Sequence, residues 1–400
     1  GGSVSLRAGT GGVVLANDIA LNTGSGVGTL TVTTTGTLEI LQASDIDTNG
    51  AAMTVDAPAV SINGTITTDN GTVTFNNLAT GFEVNDPIGS INAGSGDVNI
   101  YTAAGTTVDL GFVGTSGLKI SDNTLDNITT TGTLRIGNAG TGDIYIGAVS
   151  QGSTDVVITS GGSILDDGTL GTAIGAQTLS LVADSVGTLA APVGVDVTSG
   201  TISVDTTSGG AAGNIYLIEP THELEFSKLT FTTDAGSVQT IGLTAAGAQI
   251  DVDTATSISD NLILTSDAIN IANTITGGGT NYIIIKPYTT NTGINLGTES
   301  IGQLSITDTE LDNLSSVAAV QIGDTNAGTL TVSAAITPAG TNTLILVAGD
   351  AAGENITGPG TITVANLGLS AAGSIILNNI DADILAAVSR VSGDITITDI

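Results

Sequence analysis

LKISDNTLDNITTTGTLRIGNAGTGDIYI, residues Leu118 to Ile146, decides the fold, because a version of it occurs twice. A shift of 186 positions (304 minus 118) gives LSITDTELDNLSSVAAVQIGDTNAGTLTV, Leu304 to Val332. Leu118-Lys-Ile-Ser-Asp then meets Leu304-Ser-Ile-Thr-Asp, and Leu125-Asp-Asn-Ile meets Leu311-Asp-Asn-Leu. Each copy follows a related segment ending in glycine, Val108-Asp-Leu-Gly and Ile294-Asn-Leu-Gly. A constant offset held across the whole segment marks an internal repeat. Inside it, Leu118 and Ile120, Leu134 and Ile136, and Ile144 and Ile146 alternate with polar neighbours. Period two is the mark of a strand with one buried face. Leu134 and Ile136 are therefore expected inside, with Arg135 in solvent.

The same short runs fill the rest of the chain. Thr29-Leu-Thr-Val, Thr37-Leu-Glu-Ile, Thr201-Ile-Ser-Val and Thr329-Leu-Thr-Val are examples, separated by Gly, Asn, Asp, Ser and Thr. Those residues build turns, and Thr and Val favour strands over helices. Two more pairings recur: Thr178-Leu-Ser-Leu-Val-Ala-Asp with Thr343-Leu-Ile-Leu-Val-Ala-Gly, and Ile215-Tyr-Leu-Ile-Glu-Pro with Tyr282-Ile-Ile-Ile-Lys-Pro. One local exception is Thr307-Asp-Thr-Glu310, a capping box ahead of Leu311 and Leu314. It predicts a single helical turn set into the strands. Ser121 to Ile128 has the same apolar spacing without the Glu.

The 400 residues include 56 glycines, about twice the usual share, with no cysteine, no tryptophan and 2% aromatics. A sandwich array would need large core aromatics, and a propeller an aromatic signature in each blade. Short strands, dense turns and aliphatic cores favour a solenoid, whose strands stack on their equivalents one coil away. The expectation is an all-β, right-handed parallel β-helix, a single continuous rod with short turns over residues 1–400. Coils of roughly 20–25 residues would give about 16–20 of them. Gly1-Gly-Ser-Val-Ser-Leu and Asp394-Ile-Thr-Ile-Thr-Asp-Ile400 read as repeat strands without caps, so an excerpt of a longer chain is expected. Ile215 to Phe231 is the densest stretch of charge and aromatics, and is expected to bulge as a loop or irregular strand.

Charge removes several function classes. Six basic residues face 38 acidic ones, a net charge of −32, so nucleic acids and anionic membranes are repelled. No run of about 18 apolar residues occurs, so no transmembrane segment is expected. Without cysteine there is neither a disulfide nor a thiolate zinc site.

At the Gly-x-apolar-x-Leu-x-Ala strand from Gly2 to Ala8, and at the Leu-x-Ile-x-Asp…Leu-Asp-Asn-Ile…Leu-x-Ile-Gly block from Leu118 to Gly137, the chain resembles repeat regions of giant bacterial surface proteins. The type is the filamentous-haemagglutinin, two-partner-secretion adhesin. The resemblance implies a right-handed β-helix on the outside of a bacterium, within a long shaft that projects, adheres or assembles.

Chemistry-bearing residues are few. His222 is the lone histidine, in Glu219-Pro-Thr-His-Glu-Leu-Glu-Phe-Ser-Lys228, so a His–Glu acid/base pair competes with an exposed loop. The loop is favoured, because the same proline context recurs at Pro287 without His or acid. Asp122, Asp126, Asp308 and Asp312 repeat with the architecture, which suits turn capping rather than glycoside cleavage. Asp45-Ile-Asp-Thr-Asn-Gly50 with Asp56 matches an EF-hand loop in spacing, but lacks the final Glu and flanking helices. A polar turn is the better reading, leaving room only for weak Ca²⁺ binding. Thr31-Val-Thr-Thr-Thr raises an ice-binding ladder, which would need Thr-x-Thr at one register in every coil. Asn63, Asn70, Asn127, Asn313 and Asn355 open Asn-x-Ser/Thr triplets, which chance explains in so Asn- and Thr-rich a chain.

No catalytic, cofactor-binding or metal-ligating residue is assigned, and an enzyme is not expected. The expected function is structural and adhesive: the shaft of an extracellular fibre, adhesin or sheath at a bacterial cell surface. Its expected partners are itself, through further repeats or head-to-tail copies, and cell-surface or carbohydrate ligands. The alternatives are a carbohydrate- or cell-binding module and, third, a polysaccharide-degrading β-helix enzyme.

Overall fold

The chain coils as a β-solenoid of about 16 turns, built from parallel sheets. The computed structural model describes residues 3–20, 28–85, 87–111, 117–169, 173–196, 200–209, 213–315 and 317–399. Gly1, Gly2 and Ile400, quoted above as strand ends, lie outside these. Two compact units divide the chain. One holds Gly1–Gly213 with Thr230–Asp234, and the other Asn214–Leu229 with Ala235–Ile400. No helix among the described residues is long and apolar enough to cross a membrane.

In the first unit, alternate residues of each strand become rungs of aliphatic ladders. One ladder runs Leu30, Met53, Val73, Val98, Leu134, Val156, Leu179 and Ile202. Its companion two residues on runs Val32, Val55, Phe75, Ile100, Ile136, Ile158, Leu181 and Val204. The early coils add two further sheets, with rungs Leu15-Ile40-Ile62-Val84 and Ile19-Ile46-Ile66-Ile91-Ile128. Nearly all these rungs are buried. Leu134 and Ile136 are each 1% exposed, as the alternation requires. Arg135 points out and meets Asp97 at 3.6 Å. Phe75 and Phe82 supply the bulkiest core contact, edge to face with centroids 4.9 Å apart.

Corners explain the threonine and glycine. Thr68 and Thr130 are buried at corners, and their hydroxyls donate to the Gly71 and Gly96 carbonyls. A carbonyl that would otherwise be orphaned indoors is thus satisfied. Gly71 itself lets two coils touch: a Cβ there would lie 2.2 Å from the Ala51 oxygen.

The second unit repeats the scheme. Ile215, Ile241, Leu262, Ile283, Val320, Leu344, Leu367 and Leu385 form one ladder. Leu217, Leu243, Leu264, Ile285, Ile322, Leu346 and Leu369 form the next. The stretch expected to bulge is corrected here. Ile215–Glu219 is a regular strand with Ile215, Leu217 and Glu219 buried, because its Ile-Tyr-Leu-Ile alternation keeps period two. Departure from the ladder is confined to the turn after Glu219 and the short 3₁₀ turn Phe226–Lys228.

Rungs are usually 18 to 26 residues apart. Longer steps are Ile19 to Ile46, 27 residues, Val98 to Leu134, 36 residues, with Ile91 to Ile128, 37 residues, in the same coil, and Ile283 to Val320, 37 residues. The two longest coils are the two copies of the 186-residue-offset repeat. In each, the extra chain forms an added strand: Val108–Leu110 lies between Leu118–Ile120 and Ile144–Ile146. Ile294–Gly297 likewise lies between Leu304–Thr307 and Leu330–Val332. The strand after each added strand leads into one helical turn, Asp122–Asp126 or Asp308–Asp312. Ser121 caps the first, and Thr307 with Glu310 closes a full capping box on the second.

Candidate functional site

A candidate site is built on the second copy of the repeat, wholly within the second unit. Strand Ile294–Gly297 must turn back to reach Leu304–Thr307, its own parallel neighbour. Buried side chains pin the returning loop. Asn295 donates its amide to the Thr298 hydroxyl at 3.1 Å and also to the Thr298 carbonyl. Thr298 Oγ1 lies 2.7 Å from Ser333 Oγ. Ser305 Oγ accepts the Ser300 N–H at 2.9 Å and donates to its carbonyl at 3.2 Å. The loop tip carries Ile301 fully into solvent.

Between this loop and the corners at 246–249 and 267–269 lies a groove of about 760 Å³. Gln249, Asp267, Glu299 and Gln303 provide its polar groups, against small apolar walls from Ala246, Ala248 and Ala268. Asp267 is held by the Thr289 N–H at 2.8 Å, and Gln249 donates to the Glu223 carboxylate. Burial first, and then the like charge of Glu310, pushes the Glu299 carboxyl above its usual value. Amides and carboxyls around a shallow groove suit hydrogen bonding to a hydroxyl-rich ligand. No histidine, cysteine or aromatic ring lines it.

His222 and Glu219 do meet. His222 Nδ1 is 3.6 Å from Glu219 Oε1 and 2.8 Å from the Thr221 hydroxyl. The same Glu219 oxygen accepts the N–H groups of Thr221 and His222, each at 2.9 Å. A buried carboxylate closing its own turn in this way has a structural task.

The repeated aspartates pin neighbouring coils. Asp122 accepts the Ser150 N–H at 3.0 Å and Asp308 the Thr337 N–H at 2.6 Å. Asp126 accepts from the Gln151 side chain at 3.3 Å and Asp312 from the Ala339 N–H at 2.9 Å. Asn127 and Asn313, which close the helical turns, donate across coils to the Val84 and Ile271 carbonyls.

The EF-hand-like spacing falls on two strands, Asp45–Asp47 and Ala52–Asp56. Asp47 accepts the Asn49 N–H at 2.8 Å, while Asn49 and Gly50 adopt left-handed conformations. Asp56 accepts from Asn77. These acids shape a turn between strands. The outward threonines stack as Thr31, Thr54 and Thr74, but Asn99, Arg135 and Val157 continue that column. The ladder an ice surface would need is broken there.

The groove itself was not foreseen. Its only trace in the sequence is Ile301, a lone large apolar residue in the polar run from Thr298 to Gln303. Compared with known proteins, the chain matches no family model, no curated protein and no solved structure.

Proposed function

We propose that this chain is a structural and adhesive repeat segment, forming the shaft of an extracellular fibre, adhesin or sheath at a bacterial cell surface. The observation that carries the reading is the ladder. Rungs within the stack are held by the coils directly before and after them, so coils add without altering the fold. The partner proposed is self, a further coil of the same chain or of another copy. A net charge of −32 keeps neighbouring shafts apart sideways. The resemblance to two-partner-secretion adhesin repeats supports the same reading, on which the chain is not an enzyme. An antibody against the chain should label projections on intact cells that make it. Labelling only after permeabilisation would overturn the proposal.

The groove supports a second reading, a carbohydrate-binding module. Gln249, Gln303, Asp267 and Glu299 offer the donors and acceptors that sugar hydroxyls need. A glycan array probed with the chain and with Gln303→Ala tests it. Signals lost in the variant support binding at the groove; identical signals, or none, dismiss it.

A further inference from the structure

Among the buried positions at which the two copies of the repeat differ, one exchanges an amide for a carboxylate, and that difference points to a ligand. In the second copy the middle of the added strand is Asn295, 5% exposed, whose amide is satisfied by Thr298, itself bonded to Ser333. Neutral groups meet neutral groups there. In the first copy the equivalent of Asn295 is Asp109 (295 minus 186), and the equivalent of Ser333 is Gly147 (333 minus 186).

Asp109 is 4% exposed and lies in register between Lys119 and Tyr145. Its Oδ2 is buried and takes part in no hydrogen bond. One coil on, the Asp167 N–H donates to the Ile146 carbonyl at 3.0 Å, which sets Asp167 beside Gly147. Its Oδ2 lies 2.5 Å from where a Cβ on Gly147 would stand. The carboxylate thus fills the space that the missing side chain leaves open, directed back toward the strand of Asp109. That oxygen too is buried without a hydrogen bond, while Oδ1 accepts the Thr169 N–H at 2.8 Å. Burial raises the Asp109 pKa most; Lys119 lowers it, and the charge of Asp167 raises it again. Two buried carboxylate oxygens without hydrogen-bond donors are costly unless something pairs with them.

We infer that Asp109 and Asp167 form a divalent-cation site of the calcium class, closed over Gly147. Oxygen-only donors select a hard cation over zinc or copper. Lys119, exposed on the far side of Asp109, offsets one of the two negative charges and holds the affinity down. A dissociation constant on the order of 10⁻⁴–10⁻³ M, the range of extracellular calcium modules, is expected.

Terbium is the probe, because Tyr145 stands beside Asp109 and can sensitise its emission. The whole chain at neutral pH should give tyrosine-sensitised emission that millimolar Ca²⁺ quenches. Asp167→Asn should weaken terbium binding at this site at least tenfold. The double variant Asp109→Asn, Gly147→Ser places the second copy's Asn and Ser here without its Thr298, and should abolish the Ca²⁺-quenched signal while keeping the β circular-dichroism spectrum. Wild-type chain without Ca²⁺-quenched emission up to 10 mM Ca²⁺, or wild-type emission from both variants, would overturn the site. If the double variant loses its β spectrum, Asp167→Asn alone decides.

Discussion

Replacing Ile136 with Asp tests whether the ladder holds the coils. Ile136 is 1% exposed and stacked between Ile100 and Ile158. Removing its side chain forfeits about 2–5 kcal/mol of burial and packing. The carboxyl left in its place has no donor in that column. Keeping it neutral at pH 7, three units above an ordinary aspartate, costs about 4 kcal/mol. The combined penalty, about 6 kcal/mol or more, exceeds what one coil can absorb. Arg135→Glu, one residue away, loses only a contact with Asp97 at 3.6 Å, with both side chains 38% exposed. An exposed pair of this kind contributes about 0–1 kcal/mol, and reversing its sign costs a similar amount. Because solenoid coils couple mainly to their neighbours, the damage should be local rather than global. Hydrogen exchange by mass spectrometry is therefore the assay. Ile136→Asp should strip protection from Thr133–Gly137 and from the flanking strands Val98–Thr102 and Val149–Thr159, leaving distant coils protected. Protection should partly return at pH 4, where the buried carboxyl is neutral at little cost. Arg135→Glu should leave exchange close to wild type. Equal losses in the two variants would refute the register and the ladder argument with it.

Three further outcomes are expected. Burial raises the pKa of Asp109, Asp126, Asp166 and Asp251, and of Glu299, so the folded chain binds these protons more tightly than the unfolded one. Stability should then rise as pH falls from 7 toward the ordinary aspartate value of 3.8, and the gain is complete below it. At Asp253 burial is outweighed by hydrogen bonds from Ser227, and this single group works the other way. A melting temperature that falls steadily from pH 7 to pH 5 would contradict this. Glu310→Ala should cost about 1–3 kcal/mol, because it removes the capping box and strands the Ile271 N–H, which Glu310 accepts at 3.0 Å; faster exchange at Ile271 is the specific sign. Gly71→Ala should cost about 1–3 kcal/mol through overpacking against the Ala51 carbonyl, and an unchanged urea midpoint would count against so close an approach of coils.

Much of the fold was legible because the interior of a solenoid repeats the simplest pattern a chain can carry. Leu134-Arg-Ile136 declares its buried face by alternation alone, and the 186-residue offset places both helical turns and both added strands. The Thr307 capping box was readable because all its atoms lie within one turn. Ile215–Glu219 was misjudged because charge density was weighed above alternation. Glu219 is buried through its own turn, a local hydrogen-bonding arrangement that composition does not reveal.

The candidate sites were hidden for a different reason. Stacking brings together residues one coil apart, yet rung spacing varies from 18 residues between Leu367 and Leu385 to 37 between Ile283 and Val320. A reader with a fixed period therefore loses register at the two long coils, where the chain builds its loops. Gln303 approaches the groove of Gln249 only because it sits on the added loop of one such coil. Asp109 and Asp167 face the same difficulty, since Gly147 joins them and belongs to neither segment. What the repeat does disclose is the comparison between copies. Asn295, Thr298 and Ser333 satisfy one another in turn, while Asp109 with Gly147 is a charge with an opening beside it. Where two copies share a frame and one exchanges a neutral amide for a buried carboxylate, the frame does not account for the change. On the inference above, that charge is met by a cation held between Asp109 and the Asp167 carboxylate.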